Sequence, residues 1–183
     1  IFLGFFVSPT LVGIYAICER LLKVCITFIG QAAHIVFPRV VSLGNDNIDR
    51  LNDIRKYSFY GFFFLGSFFA LIIFLSADIL GTLFLPSNKL QLATTIRLMS
   101  FALVPISLAT VYYYQHFLLN SYEKYLSLIM IFGMLLNFMV GYFMIKNYGI
   151  NGMAITWPIV ESVTLFICII TISNFLRKNL NYI

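Results

Sequence analysis

The chain has 183 residues, of which 61% are hydrophobic and 10% charged, with a formal net charge of +5, whereas a soluble domain carries roughly 25% charged residues. Its mean hydropathy of +0.93 excludes a water-soluble fold, because too few polar groups exist to coat an aqueous surface, and predicts an all-α bundle of membrane-spanning helices, which can be apolar on every side. The excess of cations reads as Lys and Arg held in cytoplasmic loops, so no nucleic-acid partner is expected.

In chain order, the sequence opens on Ile1 inside an apolar run, with no charged region or cleavage site before it. A signal peptide is not expected, and the chain reads as lacking an N-terminal portion. Residues 1–6 look like the tail of one span, closed by Ser8-Pro9. A second span is predicted over 11–37, interrupted by Glu19, Arg20 and Lys23. The polar stretch 40–56 is expected to be a cytoplasmic loop. A third span covers 57–75, and 78–85 extends it as an interfacial turn of helix before Pro86–Lys89 breaks the chain. The fourth covers 92–119 and should kink at Pro105, which removes a helix hydrogen bond. The fifth covers 125–145. Lys146–Gly152 turns the chain, and a sixth covers 153–175 before Arg177-Lys178. Each full span is close to the roughly 20 apolar residues a bilayer requires.

Seven loop cations (Arg39, Arg50, Arg55, Lys56, Lys124, Arg177, Lys178) fall on one side against three (Lys89, Lys146, Arg97) on the other. That bias makes the first side, and the C-terminus, cytoplasmic.

Ionisable side chains in hydrocarbon cost at least a few kcal/mol, so they normally face a bundle interior or a wet cavity. Arg20, Lys23, Thr27, Gln31 and His34 are spaced 3, 4, 4 and 3 apart, which puts all five on one helical face. Glu19 sits beside them and can neutralise part of the charge. One reading is a cationic, water-lined wall for a substrate bearing phosphate or carboxylate. The other has Arg20 and Lys23 snorkelling to an interface and Gln31 and His34 bonding to neighbouring helices. Glu161 leads a second face with Thr164, Cys168 and Thr171, and is either a titratable coupling group or the charge partner of a cation on another helix. Arg97, Ser100, Ser107 and Tyr114 are compatible with one face of the fourth span. His116 reads as structural, and Tyr112-Tyr113-Tyr114 as an interfacial anchor. Asn137, Gly141, Gly61 and Gly66 read as helix-packing positions. Cys18, Cys25 and Cys168 lie in apolar runs without metal spacing and read as buried thiols. No catalytic or nucleotide-binding motif is present, so no enzyme activity, cofactor or metal is expected.

Three strings carry a resemblance. Ser8-Pro9-Thr10-Leu11-Val12-Gly13-Ile14-Tyr15, followed by Glu19-Arg20-Leu21, resembles the S-x-x-x-V-G-x-Y-x-x-x-x-[KR] segment of polysaccharide exporters. Phe37-Pro38-Arg39-Val40 is similar to their [FY]-P-[KR]-[IL] exit. Asn147-Tyr148-Gly149-Ile150-Asn151-Gly152-Met153-Ala154 is similar to their x-x-G-x-x-G-A-A turn, with Met153 where alanine is usual. The order and spacing resemble the C-terminal half of a Wzx-type O-antigen flippase, in the multidrug/oligosaccharidyl-lipid/polysaccharide exporter superfamily. The resemblance implies about twelve helices in two six-helix lobes, this chain supplying the second. It also implies an undecaprenyl-diphosphate-linked oligosaccharide substrate, flipped across the bacterial inner membrane by alternating access with ion coupling. Membrane lipids and other polysaccharide assembly proteins are the further partners it suggests. The competing readings are a drug or cation antiporter of the same superfamily, an O-antigen polymerase or ligase, and a purely structural membrane subunit. The first would need an acidic or aromatic cavity, and the second a large outward loop.

Overall fold

A computed structural model describes residues 2–43, 48–119 and 122–180. Every described element is helical, and there is no strand among the described residues. A 3-10 turn at Phe2–Phe5 leads into α1 (Pro9–Leu43), then α2 (Ile48–Phe84) and a 3-10 turn at Pro86–Asn88. α3 (Lys89–Ser100) and α4 (Leu103–Tyr112) follow, then a π-helical segment at Tyr113–Leu118, and α5 (Glu123–Leu180).

α1 starts where its sequence permits. Pro9 has no N–H to leave unpaired at the first helical position, and the Ser8 carbonyl accepts the first bond from the Val12 N–H at 3.1 Å. The helix continues through Pro38 to Leu43, beyond the expected end at Phe37. Its packed face is Ile14, Cys18, Leu22, Cys25, Ile29 and Ala33, all buried.

The expected loop over 40–56 is mostly helix, since α1 reaches Leu43 and α2 begins at Ile48; residues 44–47 lie outside the described ones. Polarity suggested a loop there, but the stretch is amphipathic: Leu51 is buried and Ile54, Arg55 and Ser58 are half-buried, at helical spacing, while Arg50, Asn52, Asp53 and Lys56 are exposed.

The break near Pro105 falls one turn upstream of it. α3 ends at Ser100, Phe101 and Ala102 form a turn, and α4 restarts at Leu103. Proline at 105 cannot donate to the carbonyl four residues earlier, that of Phe101, and the ladder yields there.

α5 is a hairpin. Gly149 has φ 57 and ψ −136, a conformation that favours glycine. Around it the two arms run antiparallel. Tyr122 stacks on Phe175 with ring centroids 4.5 Å apart, Ile129 clusters with Cys168, and Gly133 and Gly141 face Thr164 and Thr156. Gly152 packs on the Met144 carbonyl, where a side chain has no room. Gln91 Nε2 donates to Asn151 Oδ1 at 3.0 Å, tying the bend to α3. The turn expected over 146–152 is therefore present.

Three stretches are long and apolar enough to cross a membrane: Arg50–Phe84, Pro86–Leu118 and Glu123–Phe175, the last containing the Gly149 bend. They differ in placement. The most apolar part of the Pro86–Leu118 stretch is 67% buried, against 11% for Arg50–Phe84. The α3–α4 rod is thus the centre of the packing, contacting α1, α2 and α5. α2 turns Phe63, Phe64, Phe68, Leu71 and Leu75 outward. Such a surface fits a position against hydrocarbon. The chain is a helical membrane protein.

Close approach relies on small residues, as expected where lipid offers helices no hydrophobic contrast. Gly66 meets Ser107, as its assignment to packing required, whereas Gly61 is exposed with open space around it. Cys18, Cys25 and Cys168 are free and buried.

Candidate functional site

The face of α1 opposite its packed residues carries the polar stripe. Arg20, Lys23, Thr27, Gln31 and His34 are all exposed there and in phase, and of the five only His34 reaches another described helix. Their helical spacing is retained, but none is buried within the described bundle, so the two cations meet their surroundings rather than a closed interior. Lys23 Nζ lies 2.6 Å from Glu19 Oε1. That ion pair removes most of the Lys23 charge and leaves Arg20 as the unbalanced cation, with no ion-pair partner among the described residues. The Thr27 hydroxyl donates to the Lys23 carbonyl at 2.8 Å, which leaves only its lone pairs to the surroundings. At the lower end, His34 Nε2 and the Tyr114 hydroxyl are hydrogen-bonded at 3.0 Å, and Phe37 packs edge-on against the same tyrosine. Two candidates from separate spans, His34 and Tyr114, are thereby brought together.

Arg97 is not brought to this stripe. Its Nη2 contacts Asp78 Oδ2 at 2.6 Å, its Nε donates to the Phe74 carbonyl at 3.4 Å, and its guanidinium sits 5.6 Å from the Phe74 ring centroid. All three partners belong to α2.

Glu161 lies elsewhere again, in a cavity of about 630 Å³ between α4 and the two arms of α5. Trp157 Nε1 donates to Glu161 Oε1 at 3.2 Å. Among the described residues that line the cavity there is no Lys or Arg to act as the charge partner of Glu161. Asn137 lines this cavity too, whereas Gly141 does serve packing, its α-carbon facing Met153 and Thr156. Sequence reasoning missed the cavity's other polar groups, Thr110, Tyr113 and Trp157. They come from α4, the π segment and α5, and no local spacing relates them.

The tyrosine run does not act as a single anchor. Tyr112 packs edge-on against Phe59 and stacks on His116, Tyr113 lines the cavity, and Tyr114 bonds His34. The π segment permits this divergence. Beyond it the Tyr122 N–H reaches the Phe117 carbonyl, five residues back, at 2.8 Å. Such segments are frequent at functional positions.

The fold and its outward apolar surface define the class, a helical membrane protein. Beyond that class, comparison with protein-family models, curated proteins and solved structures finds no match for this chain.

Proposed function

We propose that the chain is one lobe of a flippase that moves undecaprenyl-diphosphate-linked oligosaccharide from the cytoplasmic to the periplasmic leaflet of the bacterial inner membrane. Its C-terminus is cytoplasmic in this reading, and a second six-helix lobe faces the α1 stripe across a wet cavity. A diphosphate with attached sugars cannot shed its hydration and cross roughly 30 Å of hydrocarbon unaided. A wall of guanidinium, amide and hydroxyl groups replaces that hydration while the lipid tail stays in the bilayer. Rocking of two lobes about the wall exposes the bound head to each side in turn.

The observation that carries the reading is the single-faced stripe from Arg20 to His34, exposed along α1 and holding one unbalanced positive charge. The resemblance of Ser8–Leu21, Phe37–Val40 and Asn147–Ala154 to polysaccharide exporters supports it independently. Arg97 has a weaker place in it, because Asp78 already balances its charge.

Complementation of a flippase-null strain by the full-length gene tests the reading. Loss of a charge-assisted contact to phosphate is worth about 1.5–3 kcal/mol, so Arg20→Ala should lower surface polysaccharide about tenfold or more at equal membrane abundance. Unimpaired polysaccharide in Arg20→Ala removes the stripe from the mechanism.

A further inference from the structure

We propose that the groove between α2 and the α3–α4 rod binds one phosphatidylethanolamine molecule, its headgroup held by Arg97 and Asp78 and one acyl chain laid along the helices. The inference does not depend on the reading of α1.

The groove has a volume of about 340 Å³. α2 lines it with Ser67, Leu71 and Phe74, and the rod with Ser100, Phe101 and Val104. Intervals of 4 and 3 along α2 make it a channel parallel to the helix axis. It opens where α2 turns Phe68, Leu71 and Leu75 outward, so a bilayer lipid reaches it from the side. Of its two serines, Ser100 already donates to its own helix, to the Arg97 carbonyl at 2.7 Å, and the other side chains named are hydrocarbon.

One end of this channel is charged. Asp78 lies one turn past Phe74 on α2, and Arg97 one turn before Phe101 on α3. The guanidinium is fixed there by Asp78, the Phe74 carbonyl and the Phe74 ring. These two hydrogen bonds use two of its five N–H groups and one oxygen of the carboxylate. The other N–H groups suit a phosphate, and the other oxygen suits an ammonium. Both side chains can be reached, at 36% and 67% exposure. Ser67 to Asp78 is eleven positions, about 16 Å at helical rise, which matches one leaflet's half of a hydrocarbon core roughly 30 Å thick.

Charge selects the occupant. The pair is balanced, so an anionic headgroup gains little from Arg97 that Asp78 does not oppose. The quaternary nitrogen of choline has no N–H to give the carboxylate. An apolar helix from a second copy would fill the channel and leave both charges without new partners. Ethanolamine phosphate brings a phosphate and a primary ammonium a few bonds apart, to a cation and an anion that are 2.6 Å apart.

The test is native mass spectrometry of the purified, delipidated full-length protein, titrated with dioleoyl-phosphatidylethanolamine, -phosphatidylcholine or -phosphatidylglycerol. One ethanolamine lipid should bind about tenfold more tightly than either of the others. Asp78→Asn should bring that preference down to about twofold or less. Leu71→Trp, which fills the channel from an exposed position, should weaken the ethanolamine lipid about fivefold or more. Equal affinity for the three lipids, tightest binding of phosphatidylglycerol, a lipid-free dimer, or an intact preference in folded Asp78→Asn overturns the proposal. If Asp78→Asn does not fold, the ranking of lipids by the unaltered protein and the loss in Leu71→Trp still decide it. Binding reads no lipid flipping, so failure here leaves the α1 reading standing, and failure of the complementation assay leaves this one.

Discussion

The α1 stripe and the Glu161 cavity place polar groups in a membrane protein in opposite ways. On α1 the groups follow one another at helical intervals, so a single element builds the face and the neighbouring helices contribute only Tyr114. At the cavity the π segment, α4 and both arms of α5 each supply one to three groups. The first is a surface with one unbalanced cation, the second a half-open cavity with one carboxylate. Periodicity suffices to make a wall, while a cavity requires a bend that brings distant turns together, and here that bend is Gly149.

The comparison is sharpest where one region can be damaged and the other spared. The largest effect is expected from Arg20→Glu, which replaces the unbalanced cation with an anion. Surface polysaccharide should fall roughly 100-fold in the complementation assay. Next is Gly149→Val. A branched residue at φ 57 is strained by about 1–3 kcal/mol, so the hairpin should loosen, read as lower thermal stability. The Lys23–Glu19 pair, one turn apart on α1, needs no contact with the hairpin and should survive the change. A smaller effect follows from Tyr114→Phe, which removes the hydrogen bond to His34. About 1 kcal/mol, or roughly fivefold in polysaccharide output, is the expected loss. The smallest belongs to Lys23→Ala. Its ammonium is already paired to Glu19 at an exposed site, where such pairs are worth about 0.3–0.5 kcal/mol, so output should change by about twofold or less.

Much of this was legible in the residues, and the reasons differ from element to element. The stripe could be read because 3-and-4 spacing is a property of one helix. The hairpin could be read because Gly149 and Gly152 flank a short polar turn between two apolar runs. The stretch 40–56 misled because charge density was taken as a sign of irregular chain. The spacing of Leu51, Arg55 and Ser58 was the signal available for a helix projecting past the apolar run. Glu161 was found by its charge, but its surroundings were not, since Thr110, Tyr113 and Asn137 meet it only after α5 has folded back. Arg97 looked free in sequence, and its partner Asp78 lies nineteen positions earlier on a different helix.

The wide turn at Tyr113–Leu118 joins three parts of the molecule. Tyr113 looks into the cavity, Tyr114 grips α1 through His34, and the Gln115 carbonyl accepts from Arg55 Nη2 of α2 at 3.3 Å. Deleting one residue so that the turn closed to ordinary α spacing would rotate everything downstream by about 100°. The grips on α1 and α2 could not both outlast that rotation. A single wide turn thus fixes one wall of the cavity and the positions of both outer helices at once.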